Sequence, residues 1–273
     1  MRHTIAAPVL GLLLLLATEC HPADSPIPQS TDADTAPAAD ITQDTVPPYA
    51  ARLLKAYPDQ SMRYEANTII FPDGTHIVAD DGLEKDFVQR LDASDIEDMF
   101  SMSYDTIGDP DYLADAGRSR CDPLFKKMYG SSEQEVRRHL VSVEWFGQKV
   151  SFTSVNGADK QLAKVAHEIA TRYPQYKNYM KSCGTFYWRK VRGANRQSAH
   201  SYGIAIDINT AYSDYWLWKN GNVPETKKIG YTNRIPLEIV RVFEKYGFIW
   251  GGRWYHYDTM HFEYRPEINP PKA

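Results

Sequence analysis

The chain has 273 residues, 42% hydrophobic and 24% charged, a composition that supports a packed core and excludes a wholly disordered or fibrous chain. Its formal net charge of -4 is concentrated in one place: residues 21–48 hold five Asp and no Lys or Arg, which leaves the rest near neutral. A near-neutral body has no basic stripe, so no nucleic-acid partner is expected.

Met1-Arg2-His3 and the apolar run from Ile5 to Ala17 are too short for a membrane span and predict a signal peptide over residues 1–20. The run closes on Leu16-Ala17-Thr18-Glu19-Cys20. This resembles a bacterial lipoprotein cleavage box, except that Glu19 stands where a small residue is usual. Export to the periplasm or cell envelope is expected, with Cys20 the candidate for lipidation and membrane attachment. Residues 21–48, with six prolines and no aromatic residue, predict a disordered tether. Once Cys20 is lipidated or removed, Cys121 and Cys183 remain as a pair, and a disulfide between them is expected in an oxidising compartment.

Ordered sequence resumes near Tyr49. Residues 49–149 form an N-terminal subdomain without an evident role, and 150–273 the expected core. Ala50–Tyr57 predicts a short helix, and residues 67–78 a hairpin about Pro72-Asp73-Gly74. Asp95–Ser101 predicts a helix and is followed by a loop to Pro123. Ser131–Leu140 opens with a cap and an acidic turn and predicts another helix. Val141–Phe146 and Lys149–Phe152 predict strands, and Gly157–Tyr173 carries one apolar helical face ahead of Pro174. Gly184–Trp188, Gly203–Asn209, Phe248–Trp250 and His261–Tyr264 predict further strands, with a helix over Ile235–Tyr246. A few strands with segregated helices make the expected class α+β, a small antiparallel sheet carrying a single zinc site.

Alternation along Gly203–Asn209 sends Ile204, Ile206 and Ile208 to one face and Ala205, Asp207 and Asn209 to the other. His200 lies just before this strand, with Gly203 offering a bend. In the last strand His261 and Glu263 share a face, backed by Met260 and Phe262 on the other. Each residue alone also fits a bland role: a surface Asp, a loop His, a satisfied structural His. Together, two imidazoles and a carboxylate leave zinc one open position, the pattern of a catalytic site, and Asp258 supplies a separate carboxylate for proton transfer. Arg189, Arg192 and Arg196 are candidate cations for the scissile carbonyl.

Ser198-Ala199-His200-Ser201-Tyr202-Gly203-Ile204-Ala205-Ile206-Asp207 closely resembles the S-x-H-x-x-G-x-A-x-D signature of the VanY-like D-alanyl-D-alanine carboxypeptidase family. Asp258-Thr259-Met260-His261-Phe262-Glu263 resembles its D-x-x-H-F-E signature, and the likeness runs from about Val150 to Pro266. The resemblance implies Zn²⁺ held by His200, Asp207 and His261, with Asp258 as catalytic acid and base. Aspartate rather than glutamate at 258 looks more like the branch of phage endolysins that cut L-alanyl-D-glutamate bonds. The family's carbonyl-polarising arginine usually sits in an aromatic-Arg-Ser motif. Arg189, after Phe186-Tyr187-Trp188, is the nearest match, with Arg196 in reserve and Lys190 replacing the serine. Ser198, Glu263 and Trp250 are expected to support the site or the substrate. His256, two residues before Asp258, could line the cleft, but an exposed position or support of the site from behind is favoured. The function implied is an exported, monomeric zinc endopeptidase acting on peptidoglycan stem peptides. The alternatives are release of terminal D-alanine, or an inactive wall-binding module.

Overall fold

The computed structural model describes residues 45–191 and 194–272. The expected signal peptide, Cys20 and nearly all of the tether lie outside them, as does Arg192. Helix α1 (Pro48–Ala56) starts on a proline, tolerated in the first turn because its missing N–H would be unpaired anyway, and buries Ala50 and Leu53. The expected hairpin gains a strand: β1 (Arg63–Glu65), β2 (Thr68–Ile70) and β3 (His76–Val78) form an antiparallel sheet in that order, with Ile69 opposite Ile77.

Helix α2 (Phe87–Asp92) is held by a reciprocal capping box between Asp86 and Gln89. The helix expected over Asp95–Ser101 shrinks to one 3-10 turn, Asp98–Phe100. Asp95 Oδ1 takes the Asp98 N–H (2.8 Å) and Asp98 Oδ2 takes the Asp95 N–H (3.2 Å), a capping exchange that opens the turn, which does not extend beyond Phe100. The segment expected as loop up to Pro123 ends in helix α3 (Asp122–Tyr129), again with proline in its first turn, burying Leu124, Phe125, Met128 and Tyr129. Helix α4 (Glu133–Arg137) is capped by Ser132.

Strands β4 (Leu140–Trp145) and β5 (Gln148–Thr153) pair antiparallel with Val143 opposite Val150. The boundary drawn at 149/150 falls inside β5. Helix α5 (Ala158–Arg172) follows. Beyond it come β6 (Ala205–Asp207), α6 (Trp216–Asn220), α7 (Leu237–Lys245), β7 (Phe248–Trp250) and β8 (His261–Tyr264). The last three strands form an antiparallel sheet in the order β6-β8-β7, with Asp207 opposite His261. The mixture is α+β, as expected.

Ile206, Phe262, Phe248 and Trp250 enter a core with Val165, Ile169, Val240 and Phe243 from α5 and α7. Ile204, just before the strand, instead joins Ala205, Ala199 and Tyr202 in a second core with Leu53, Ile69, Ile77, Phe125 and Tyr129. The sheet is thus clamped between two cores, and the described residues form one compact unit. Gly184–Trp188 is not a strand. Gly184 makes a single bridge to Asp207, and the segment then wraps the turn that carries His200.

The expected disulfide is absent. Cys121 is buried just before α3, whereas Cys183 is exposed with its Sγ 3.8 Å from Thr210 Oγ1, and both thiols are free. Burial pushes the Cys121 thiol up to about 12.

Candidate metal centre

His200 sits in a 3-10 turn, Ala199–Tyr202, that ends on Gly203 in the left-handed region (φ +68°). A side chain at Gly203 would also collide with Leu140, its Cβ falling 2.5 Å from that side chain. The turn and the strand pairing Asp207 with His261 bring three donor atoms together. His200 Nε2 lies 3.2 Å from His261 Nδ1 and 3.3 Å from Asp207 Oδ1, and His261 Nδ1 lies 3.0 Å from that oxygen.

The outward nitrogens are fixed. His200 Nδ1–H donates to the Thr185 carbonyl at 2.6 Å, and His261 Nε2–H donates to Glu263 at 3.4 Å. The other nitrogen of each ring therefore faces Asp207, where its lone pair would be available to an ion. Tetrahedral zinc with bonds of about 2.0–2.1 Å holds its donors about 3.3–3.4 Å apart, so these three fit one ion. Two carboxylate groups, Asp80/Asp81/Asp95 and Asp95/Glu97/Asp98, also cluster among the described residues. Lys85 Nζ already sits 2.7, 3.3 and 2.6 Å from Asp81, Asp95 and Asp98 and bridges the three.

Without an ion the cluster holds protons instead. Burial opposes charge on His261, but hydrogen bonds to Asp207 and Glu263 win and push its pKa up to about 10. Asp207, despite burial, is held well below the usual carboxylate range by the two imidazoles. Asp258 goes the other way: burial, then the Asp207 charge, pushes it up to about 7. Its Oδ1 is buried with no protein partner. Gly251 lets this loop close, because a Cβ there would lie 2.5 Å from the Asp258 carbonyl. Metal-ion binding at the trio would displace the His261 proton.

A cleft of about 540 Å³ is lined by the trio, Asp258, Ser198, Arg196, Arg189 and Trp254, among others. Trp254 packs on His261 with ring centres 5.4 Å apart. Trp250 lies behind the site: it is fully buried and donates from Nε1 to the Thr259 carbonyl at 2.9 Å. Glu263 is buried between His261 and Arg265 Nη1, the latter at 3.1 Å. Arg189 is exposed at the rim, and among the described residues its guanidinium bonds the Lys190 carbonyl alone, at 3.4 Å. Arg196 is buried and bonded to Asp92. His256, expected outside or behind, is fully buried and lines the cleft.

Two lining residues that the sequence reading missed are Arg118 and Arg120, from the loop before α3. The signal was present. Arg118-Ser119 keeps the Arg-Ser pair sought near residue 189, but a glycine precedes it and 80 residues part it from His200.

A turn-borne histidine and a strand-borne Asp–His pair facing a buried carboxylate in a cleft define a candidate metallopeptidase centre. Residues 192–264 match the family model described as D-alanyl-D-alanine carboxypeptidase, which bears out the resemblance across the segment carrying the trio and supports a peptidase. Comparisons with curated proteins and with solved structures give no match.

Proposed function

We propose that the protein is a zinc peptidase of peptidoglycan stem peptides, acting as an endopeptidase at the L-alanyl-D-glutamate bond. The observation that carries this reading is the convergence of His200 Nε2, Asp207 Oδ1 and His261 Nδ1 beside the unpartnered Oδ1 of Asp258. His200, Asp207 and His261 would hold the ion, which when bound supplies a Lewis acid and an acidified water. Asp258, poised near neutrality, takes a proton from the attacking water at its carboxylate and returns it to the leaving amine. Arg118, rather than the exposed Arg189, is the cation best placed to polarise the scissile carbonyl, because it lines the cleft from a buried position. Trp254 fixes the His261 ring from one side, and Glu263 fixes its tautomer.

Charge pairing favours the endopeptidase. Arg118 is bonded to Asp115 and Glu225, and Arg196 to Asp92, so both act as hydrogen-bond donors more than as traps for a terminal carboxylate. A second reading, release of terminal D-alanine, draws on Arg120, buried in the cleft with its nearest carboxylate, Glu263, at 3.8 Å. Export and possible lipid anchoring at Cys20 belong to the same proposal, supported by the apolar Leu10–Leu16 run and the Asp-rich tether. The test is digestion of purified muropeptides with and without zinc, followed by mass analysis. The endopeptidase yields the disaccharide bearing L-alanine alone, and the carboxypeptidase yields free D-alanine. Zinc-independent cleavage, or none with stoichiometric zinc bound, would refute the reading.

A further inference from the structure

His256 is buried among rings, with centres 4.5 Å from Trp216, 5.0 Å from Tyr255 and 5.6 Å from Phe87. Its two nitrogens meet two acceptors. Nδ1 lies 2.6 Å from Asp115 Oδ2, and Nε2 lies 2.7 Å from the Glu225 carbonyl oxygen. A neutral imidazole carries one N–H and would turn a lone pair on one of these oxygens. Asp115 cannot supply the missing proton without giving up its charge to Arg118, which bonds the same oxygen. Arg118 then reaches Glu225 Oε1 at 2.8 Å, closing a ring of four groups: His256, Asp115, Arg118 and Glu225.

Asp115 and Glu225 are both linked to Arg118, and Arg196, bonded to the exposed Asp92, lies 3.9 Å from Glu225. Burial opposes ionisation of Asp115, yet Arg118 and His256 hold it below the usual carboxylate range.

We propose that His256 is a positioning residue: as a buried imidazolium it clamps Asp115 and the Glu225 carbonyl, and through them fixes the Arg118 guanidinium over the cleft. It joins three chain segments that no regular element connects, and it touches none of the three candidate ligands. This rests on the peptidase reading only where catalysis is the readout.

Two experiments on the full chain test it. In ¹⁵N-histidine spectra at pH 7.5, assigned by loss of the signal in His256→Gln, both ring nitrogens of His256 carry protons. A single-proton tautomer overturns the proposal. In kinetics, His256→Gln keeps its zinc and loses about tenfold in kcat, with KM changed less than about threefold, the pattern of a misplaced catalytic group. Combined with Arg118→Lys, it costs no more than Arg118→Lys alone, because its effect passes through Arg118. Additive losses overturn the proposal. So does loss of cooperative unfolding in both His256→Gln and His256→Asn, which would make the residue merely structural. If the wild type cleaves no muropeptide, the peptidase reading falls by itself, and the spectra still decide the clamp.

Discussion

At the scale of single residues, Asp207 and Asp258 are both half-buried aspartates within one cleft, yet they are tuned in opposite directions. Asp207 is kept ionised by two imidazoles, whereas Asp258 is pushed toward neutrality by burial and by Asp207 itself. That division predicts separable variants. Asp258→Asn retains zinc and loses about 10²- to 10⁴-fold in hydrolysis, the usual worth of positioned proton transfer. Asp207→Asn loses zinc in a chelator competition. Equal zinc affinity in the two variants would show that ligand and base have been misassigned. The thiols give a second contrast. Cys183 is exposed and alkylates readily in the folded protein, whereas Cys121, buried and pushed up to about 12, resists until the chain unfolds. Peptide mapping after iodoacetamide checks this, and equal labelling of both cysteines contradicts the burial.

Among the elements, those legible in the sequence were the ones whose period was written into a single stretch. Helix α5 has its face at Leu162, Val165 and Ile169, and β8 alternates His261 and Glu263 against Phe262. The trio was legible because its residues stand in two motifs that resemble a family's signatures, each lying in or beside such a stretch. Helix α3 was hidden behind Pro123, read as a loop marker when it occupies a first turn. The helix expected at Asp95 opens with a capping exchange between Asp95 and Asp98 but runs for a single turn. The arginine of the cleft was misplaced because loop 115–121 is brought to the site by packing, which no local spacing records. Packing also joins α5 to α7, where Glu168 accepts from Lys245 Nζ at 2.8 Å, from Tyr246 Oη at 2.7 Å and from Arg172 Nη1 at 2.7 Å. These partners, Lys245 first, hold Glu168 below its ordinary value, so its contribution is full above the unfolded value of about 4.3 and fades as pH falls through the folded one. Glu168→Gln should cost about 1 kcal/mol at pH 7, modest because Lys245 and Arg172 are solvated, and less near pH 3. Urea melts at both pH values measure the gap, and a gap that widens in acid would reverse the sign argued here.

For the molecule as a whole, the chain before β5 is part of the site's construction. Ala199, Tyr202, Ile204 and Ala205, which carry His200 and enter β6, pack against Leu53, Ile69, Phe125 and Tyr129 from the first half. Arg118 and Arg120 line the cleft from that half, and Arg52 Nη2 donates to the carbonyls of Glu267 and Ile268 near the far end, both at 3.0 Å. Tyr57 Oη, buried, donates to Glu267 Oε2 at 2.7 Å. A fragment of residues 150–273 would hold every candidate ligand and Asp258, so a reading from motifs alone expects it to fold and bind zinc. The packing argues otherwise. The fragment strips β5 of its partner β4, exposes one whole side of the turn bearing His200, and leaves Glu267 buried without Tyr57. The lost apolar burial, at about 1.5–3 kcal/mol for each large side chain such as Tyr202 and Ile204, takes a large share of the 5–15 kcal/mol by which domains of this size are stable. Residues 45–273 should therefore melt cooperatively and gain thermal stability with zinc, whereas 150–273 should show no cooperative transition at any zinc concentration. Circular dichroism melts of the two fragments decide the matter, and a sharp, zinc-shifted transition in the shorter one would show that the first half is an accessory.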